Sequence, residues 1–72
     1  MKDKFSERLK ELRIEKKLTH IGLSKELDGK ISASAIGMWE TNKRVPNLDA
    51  VIILAKYFNV SIDYLAGVVD NE

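Results

Sequence analysis

The sequence contains no cysteine and only one histidine, and these two scarcities exclude several functions. Without thiols the chain forms neither disulfides nor thiolate metal sites, a composition that fits a reducing compartment. A single histidine excludes a multi-histidine metal site. A glycine-rich phosphate loop and a converging pair of carboxylates are missing as well. The residues therefore offer no enzyme active site and imply no cofactor.

Long apolar runs are also missing from the sequence. No segment approaches the roughly 20 apolar residues that a membrane-spanning helix needs, and the polar residues 1–5 lack the apolar core of a signal peptide. We therefore expect a cytoplasmic protein without membrane contact. The 72 residues have room for one small domain. A core of this size rarely supplies more than about 3–5 kcal/mol of net stability, so the helices must pack tightly.

Charge is unevenly distributed along the chain, although the net charge is only +1. Residues 1–45 carry 11 Lys and Arg against 7 Asp and Glu, a balance of +4. Residues 46–72 carry one lysine against four acidic residues, a balance of −3. Such segregation suits a protein whose N-terminal part faces a polyanion. An ordinary mixed surface explains the charges equally well, so charge alone leaves both interpretations open.

The first predicted helix lies within residues 5–17. Phe5, Leu9 and Leu12 recur at helical spacing, and the residues between them are mostly charged. Glu7 and Arg8 belong to the alternating charges that are typical of an exposed helix face. Ile14 lies away from the apolar stripe, and we interpret it as an exposed apolar residue.

Four further helices are predicted from residues that cap helix N-termini. They cover about residues 20–27, 33–40, 48–58 and 62–66, and their caps are Thr19, Ser32, Asn47 and Ser61. The fourth helix should bury a stripe formed by Leu48, Val51, Leu54, Ala55 and Phe58, with Ile53 on its opposite side. The predicted fold class is all-α, a compact five-helix bundle in residues 1–67. Residues 68–72 are predicted to form a frayed C-terminal tail.

The third predicted helix has a small and uncharged outward face. Its buried side is defined by Ile36 and Trp39, and helical periodicity places Ser34, Met38 and Thr41 on the other side. A purely solvent-facing side would normally carry Lys or Glu, whereas small residues allow close approach to another surface. The side chain of Glu40 falls near the core, so we expect it to have a cationic partner.

Residues across most of the chain match a known family in order and spacing. They are Leu18-Thr19, Leu23, Leu27, Ser32, Ile36, Trp39-Glu40, Pro46-Asn47-Leu48, Leu54-Ala55 and Val60-Ser61-Ile62-Asp63-Tyr64-Leu65. Together they resemble the phage repressor/Cro type of helix-turn-helix protein over about residues 5–67. The resemblance implies a lambda-repressor-like DNA-binding domain that places its third helix in the major groove of double-stranded DNA.

The resemblance also implies roles for individual positions. His20 stands where relatives usually have a glutamine that reaches a phosphate and braces the third helix. The base-facing positions hold Ser32, Ala33, Ser34, Gly37 and Met38. The following loop, which touches the DNA backbone in relatives, holds Thr41, Asn42, Lys43 and Arg44. A partly buried ion pair between the first and third helices corresponds to Arg13 and Glu40.

The sequence departs from the family pattern at two places. The turn Asp28-Gly29-Lys30 is two residues longer than the usual single glycine. We expect it to leave the axis of the third helix in place, because Leu27, Ile31 and Ile36 can anchor both sides. Lys30, in this turn, is a further candidate DNA contact. The base-facing positions also lack the Gln, Asn or Arg of bidentate base contacts, which favours readout of DNA shape and deformability.

These features predict a sequence-specific transcriptional regulator, in the first place a repressor, that binds DNA as a homodimer. The alternative is a protein-interaction module, such as an antitoxin or the partner-binding domain of a repressor, and a regulatory protein partner is compatible with both. Apolar residues outside the predicted stripes are interpreted as scattered surface residues, and any that cluster would be candidates for a dimer interface: Ile14, Ile21, Ile53, Val68 and Val69.

Overall fold

A computed structural model of the chain describes residues 2–71, which form α-helices joined by short connections. The helices are α1 (Lys2–Glu15), α2 (His20–Glu26), α3 (Ala33–Glu40), α4 (Leu48–Phe58) and α5 (Ile62–Ala66). No strand occurs within the described range, so the all-α prediction is confirmed. Among these helices, none combines the length and apolar character that crossing a lipid bilayer requires.

The helices α2 to α5 begin at the predicted N-caps. Each cap side chain accepts a backbone hydrogen bond from the residue three positions later, at distances of 2.9, 3.1, 2.9 and 2.9 Å for Thr19, Ser32, Asn47 and Ser61. These bonds satisfy N–H groups that a helix start leaves without an internal partner. The start of each helix is therefore determined by residues close to it in sequence.

The core joins all five helices, and α3 lies against both α1 and α2. Its completely buried large side chains are Phe5, Leu9, Leu23, Ile36, Leu54 and Leu65. The rings of Trp39 and Phe5 meet edge to face, with centroids 6.0 Å apart, an arrangement that adds to the energy of burial. The inward side of α3 is thus fixed by two other helices.

Three predictions about burial in α1 and α4 were wrong. Leu48 is 65% exposed, because α4 packs through Val51, Leu54 and neighbouring residues, and its first residue lies beside that stripe. Ile53 is partly buried and packs on the core, because the long turn before α3 lies next to it. Lys30 of this turn lines the same two surface depressions as Ile53. Arg8, expected on the solvent face, is buried.

Arg8 ties the segment after α5 to α1. Its Nη1 donates to the carbonyl oxygens of Tyr64 and Val69, at 2.5 and 2.6 Å, and its Nη2 lies 3.2 Å from Oδ1 of Asp70. Gly67 allows the end of α5 to lie close to α1, because a Cβ at this position would lie 2.6 Å from the Cβ of Lys4. The segment that was predicted to fray is therefore hydrogen-bonded to the domain, while Glu72 lies outside the described residues.

Candidate nucleic-acid interface

The side of α3 that faces away from the core carries small, uncharged residues. Ile36 and Trp39 are buried, whereas Ser32 and Ser34 are exposed and Ala33 and Gly37 are partly exposed. The predicted division of this helix into a core side and an outward side is confirmed. Its backbone can therefore approach another surface closely.

Met38 is less exposed than its predicted position on the outward face suggested. It lines an open cavity of about 630 Å³ between α3 and the start of α4, together with Lys30, Trp39, Arg44 and Asp49. One flank of the outward face is therefore a shallow depression with charged residues on its walls. Within the described residues, no three acidic or histidine side chains are grouped to hold a metal ion.

The basic loop follows α3 directly and folds back onto its end. Thr41, Asn42, Lys43 and Arg44 are all exposed. The backbone N–H groups of Lys43 and Arg44 donate to the carbonyl oxygen of Met38, at 2.9 and 3.3 Å, and Oγ1 of Thr41 donates to that of Gly37 at 2.9 Å. These bonds hold two cationic residues beside the outward face of α3.

Ser6 anchors this loop to α1, a role that the sequence did not reveal. Its buried hydroxyl donates to the carbonyl oxygen of Trp39 and lies 2.6 Å from Oδ1 of Asn42. Because one hydroxyl proton serves one acceptor at a time, a rotated Asn42 amide would donate from Nδ2 to Ser6 and satisfy both groups. Asn42, predicted only as a DNA contact, therefore also positions the loop.

Arg13 and Glu40 form an ion pair between α1 and α3, as the resemblance implied. Nε and Nη2 of Arg13 lie 2.7 and 2.9 Å from the two carboxylate oxygens, while Nη1 donates to the carbonyl oxygen of Leu18 at 2.7 Å. The side chains are only 13% and 4% exposed, respectively. Two parallel bonds to one planar carboxylate fix direction as well as distance.

The carboxylate of Glu40 is ionised despite its burial. Burial, the largest single effect, raises its pKa, but the hydrogen bonds and charges of Arg13 and His20 together outweigh it and hold the pKa below its usual value. The hydrogen bond to Glu40 conversely raises the pKa of Arg13 against the opposing effect of burial. The pair is therefore charged on both sides at neutral pH.

His20 reaches the same carboxylate from the start of α2. Its Nε2 lies 3.2 Å from Oε1 of Glu40, and its side chain is 41% exposed. A Cβ built on Gly37 would lie 3.7 Å from both Cε1 and Nδ1 of the ring. The ring therefore contacts α3 at Gly37 and braces it through Glu40, which is the structural half of the role that the resemblance implied.

The long turn between α2 and α3 is closed by its own hydrogen bonds. Asp28 and Gly29 adopt left-handed conformations, with φ of 56° and 74°, and the N–H of Gly29 donates to the carbonyl oxygen of Ser24 at 3.0 Å. Oγ of Ser24 also donates to the carbonyl oxygen of Ile31 at 2.7 Å. Lys30 is exposed on this turn, and the predicted anchors are buried: Leu27, Ile31 and Ile36.

A short helix, a turn and a second helix with one free face, followed by a basic loop, define the class of helix-turn-helix domains. A family model described as helix-turn-helix matches residues 9–65. The chain belongs to the Cro/C1-type family of helix-turn-helix DNA-binding domains.

Two relatives carry the same class of domain. The chain is 39% identical over 61 residues to the HTH-type transcriptional activator BcrR of Enterococcus faecalis, and the aligned stretch covers 85% of this chain and 29% of that protein. It is 36% identical over 67 residues to the uncharacterized HTH-type transcriptional regulator YobD of Bacillus subtilis (strain 168), and here the aligned stretch covers 93% of this chain and 58% of that protein. The chain thus spans less than two thirds of either relative. No solved structure matches it.

Proposed function

We propose that this chain binds double-stranded DNA sequence-specifically, with α3 in the major groove, and thereby regulates transcription. The observation that supports the proposal most directly is the small, uncharged outward face of α3 beside the exposed cations Lys43 and Arg44. The major groove is about 12 Å wide and admits an α-helix. Cationic residues beside such a helix can neutralise the flanking phosphates.

The proposed contacts divide into backbone contacts and base contacts. Lys30, Lys43 and Arg44 supply positive charge to phosphates, and Thr41 and Asn42 can donate hydrogen bonds to the backbone. On α3, Ala33 and Met38 offer apolar contact to thymine methyl groups, and Gly37 allows close approach. Ser32 and Ser34 have hydroxyl protons to donate, although the Ser32 oxygen already accepts its capping bond.

Base readout of this kind is weak, because none of the base-facing side chains makes a bidentate contact. We therefore propose that DNA shape and deformability contribute a large share of the specificity. Binding as a homodimer would add specificity by requiring two half-sites, spaced about 34 Å apart along the duplex. Exposed apolar side chains that a partner could cover include Ile14, Ile21, Val45, Leu48 and Val68.

We propose repression as the regulatory output, because a bound domain can block a promoter without any further protein contact. One relative is named an activator, so the assay must be able to detect both outcomes. A reporter with the selected operator either overlapping the promoter or upstream of it separates them. Reduced expression from the overlapping site supports repression, and increased expression from the upstream site contradicts it.

A protein-interaction module is the second candidate. The lack of base-specific side chains on α3 favours it, since an uncharged face beside a depression also suits a protein partner. In that case a protein partner would bind stoichiometrically to the outward face of α3 and the depression lined by Met38. DNA binding would then show neither salt dependence nor a preferred sequence.

The test of DNA binding is a fluorescence titration with duplexes selected from a random pool, repeated at several salt concentrations. We expect the double variant K43A/R44A to bind every sequence more weakly and to reduce the salt slope by about 1.8, or 0.9 per phosphate contact. Replacing Ser34 or Met38 by alanine should instead change which sequence is preferred. K56A, which removes an exposed cation from α4, is the matched control and should change neither property.

Equal effects of both sets of variants would mean that α3 does not read the bases. Binding without salt dependence and without sequence preference would contradict the proposal as a whole.

A further inference from the structure

The carbonyl oxygens at the end of α3 receive hydrogen bonds both from the basic loop and from α1. The N–H of Thr41 donates to the carbonyl oxygen of Gly37 at 3.1 Å, and the N–H of Asn42 donates to that of Trp39 at 3.3 Å. The hydroxyl of Ser6, on α1, donates to the same Trp39 oxygen. A helix leaves its last carbonyl groups without partners of its own. These bonds therefore complete the end of α3 and connect it to α1.

Asn42 makes the turn from α3 into the basic loop. Its φ of 61° lies in the left-handed region, where many helices end with a glycine and some end with an asparagine. A glycine would make the same turn without a side chain. Asn42 instead places its amide against the hydroxyl of Ser6, whose Oγ lies 2.6 Å from Oδ1. The turn is therefore held through a side chain as well as through its backbone.

This contact joins a buried group to an exposed loop. Ser6 is only 4% exposed, whereas Asn42, Lys43 and Arg44 are all exposed. The backbone bonds of Lys43 and Arg44 reach the carbonyl oxygen of Met38, so they attach the loop to α3 alone. Because hydrogen bonds are stronger in the low dielectric of the protein interior, the bonds of the Ser6 hydroxyl are well suited to hold the loop in one conformation.

A cationic loop that becomes ordered only when it meets DNA loses affinity, because the ordering costs conformational entropy. Lys43 and Arg44 directly follow Asn42, so their backbone positions depend on this turn. We propose that Ser6 is a positioning residue for DNA binding. Through Asn42 it holds the basic loop, before DNA is bound, in the conformation in which Lys43 and Arg44 meet the phosphates. This proposal rests on the proposed function, and it adds a source of affinity that lies on α1.

The first test needs no DNA and compares amide hydrogen exchange in the wild-type protein and in S6A by NMR. Without its anchor the loop should open more often. Exchange of the Lys43 and Arg44 amides, which bond to the end of α3, should therefore become about fivefold faster or more. The reference is the amide of Ala50, which bonds to Asn47 in α4. If all three amides accelerate equally, Ser6 acts on global stability alone and the proposal is overturned.

The second test measures the affinity for a selected duplex at several salt concentrations. S6A should bind about fivefold to twentyfold more weakly, which corresponds to about one residue's backbone freedom. The weakening should be equal for all sequences. The salt slope should stay at the wild-type value, because both cations still reach the phosphates, whereas K43A/R44A reduces that slope.

S61A is the matched control for this titration. It removes a hydroxyl that caps α5, so it should lower stability by a similar amount and keep the wild-type affinity. Thermal unfolding of each variant establishes that the protein under test is folded. If S61A weakens binding as much as S6A does, or if S6A binds like the wild-type protein, the positioning role is refuted.

The variant N42G separates the Asn42 amide from the turn, since glycine adopts the left-handed conformation readily. It should weaken binding about as much as S6A does. The double variant S6A/N42G should bind within about twofold of the weaker single variant, because both changes remove the same contact. Losses that simply add would mean that the two residues act independently, contrary to the proposal. A wild-type protein that binds no duplex would overturn the proposed function and this proposal with it, whereas unchanged amide exchange in S6A identifies a failure of the anchor alone.

Discussion

Replacing Arg13 by methionine tests how the ion pair with Glu40 holds α3 against α1. R13M keeps an unbranched side chain and removes the donors to both Glu40 oxygens and to the carbonyl oxygen of Leu18. The Glu40 carboxylate, only 4% exposed, is then left with the His20 ring at 3.2 Å as its neighbouring polar side chain. We therefore expect a loss of stability well beyond that of a surface substitution.

Removing one partner of a buried ion pair costs about 3–5 kcal/mol. We expect the lower end, about 3 kcal/mol, because the Arg13 side chain is 13% exposed and His20 remains near the carboxylate. In a domain of this size each kcal/mol lowers the melting temperature by roughly 4–8 °C, so the expected decrease is roughly 12–24 °C. A total stability of about 4–11 kcal/mol leaves R13M folded at low temperature, where its DNA affinity can be measured.

The assay is denaturant and thermal unfolding followed by circular dichroism for R13M, E40L and the double variant R13M/E40L. The double variant places apolar groups where the ion pair was, so it should recover much of the loss. K10M, at an exposed position on the same helix, should change stability by less than about 0.5 kcal/mol. The reasoning is refuted if R13M costs less than about 1 kcal/mol, or if the losses of the two single variants simply add in the double variant.

Two further predictions concern other charged groups. The pKa of Glu40 is lower in the folded protein than the ordinary carboxyl value of about 4.3. The stability that the ionised carboxylate contributes should therefore be fully present above about pH 4.3 and should be lost as the pH falls through the folded-state pKa. Unfolding measured between pH 6 and 3 should therefore show a smaller acid-induced loss in E40Q than in the wild-type protein, and equal losses would contradict this. R8M should cost about 2 kcal/mol in denaturant unfolding, because it removes charge-assisted bonds to two carbonyl oxygens. D70N should cost under about 0.5 kcal/mol, since Asp70 is almost fully exposed, and similar costs for both variants would show that the carbonyl contacts contribute little.

The starts of α2 to α5 were predictable because they depend on neighbouring residues. A cap such as Ser32 or Asn47 accepts a bond from an N–H three residues away, and no distant partner is needed to recognise it. The ends were less regular. α1 runs from Lys2 to Glu15, so it begins three residues before the predicted start and ends two residues before the predicted end. Lys17, just beyond it, takes a left-handed conformation that periodicity does not reveal.

The outward face of α3 was also predictable, because helical periodicity separates Ile36 and Trp39 from Ser34. The roles of His20 and of the Arg13–Glu40 pair came from the family resemblance and not from the pattern of residues. The DNA contacts proposed for His20 and for the outward face of α3 remain predictions, as does the effect of the long turn on the axis of α3.

The sequence by itself determined the class of domain and the helix that presents the proposed binding face, since capping and periodicity act within a few residues. Tertiary structure decided where polar side chains find their partners. Arg8 bonds to groups 56 to 62 residues away, and Ser6 bonds to groups 33 and 36 residues away. Local charge patterns predicted exposure for Arg8, because a buried charge is stabilised only by partners that folding brings near. The same holds for Glu40, on which Arg13 of α1 and His20 of α2 converge.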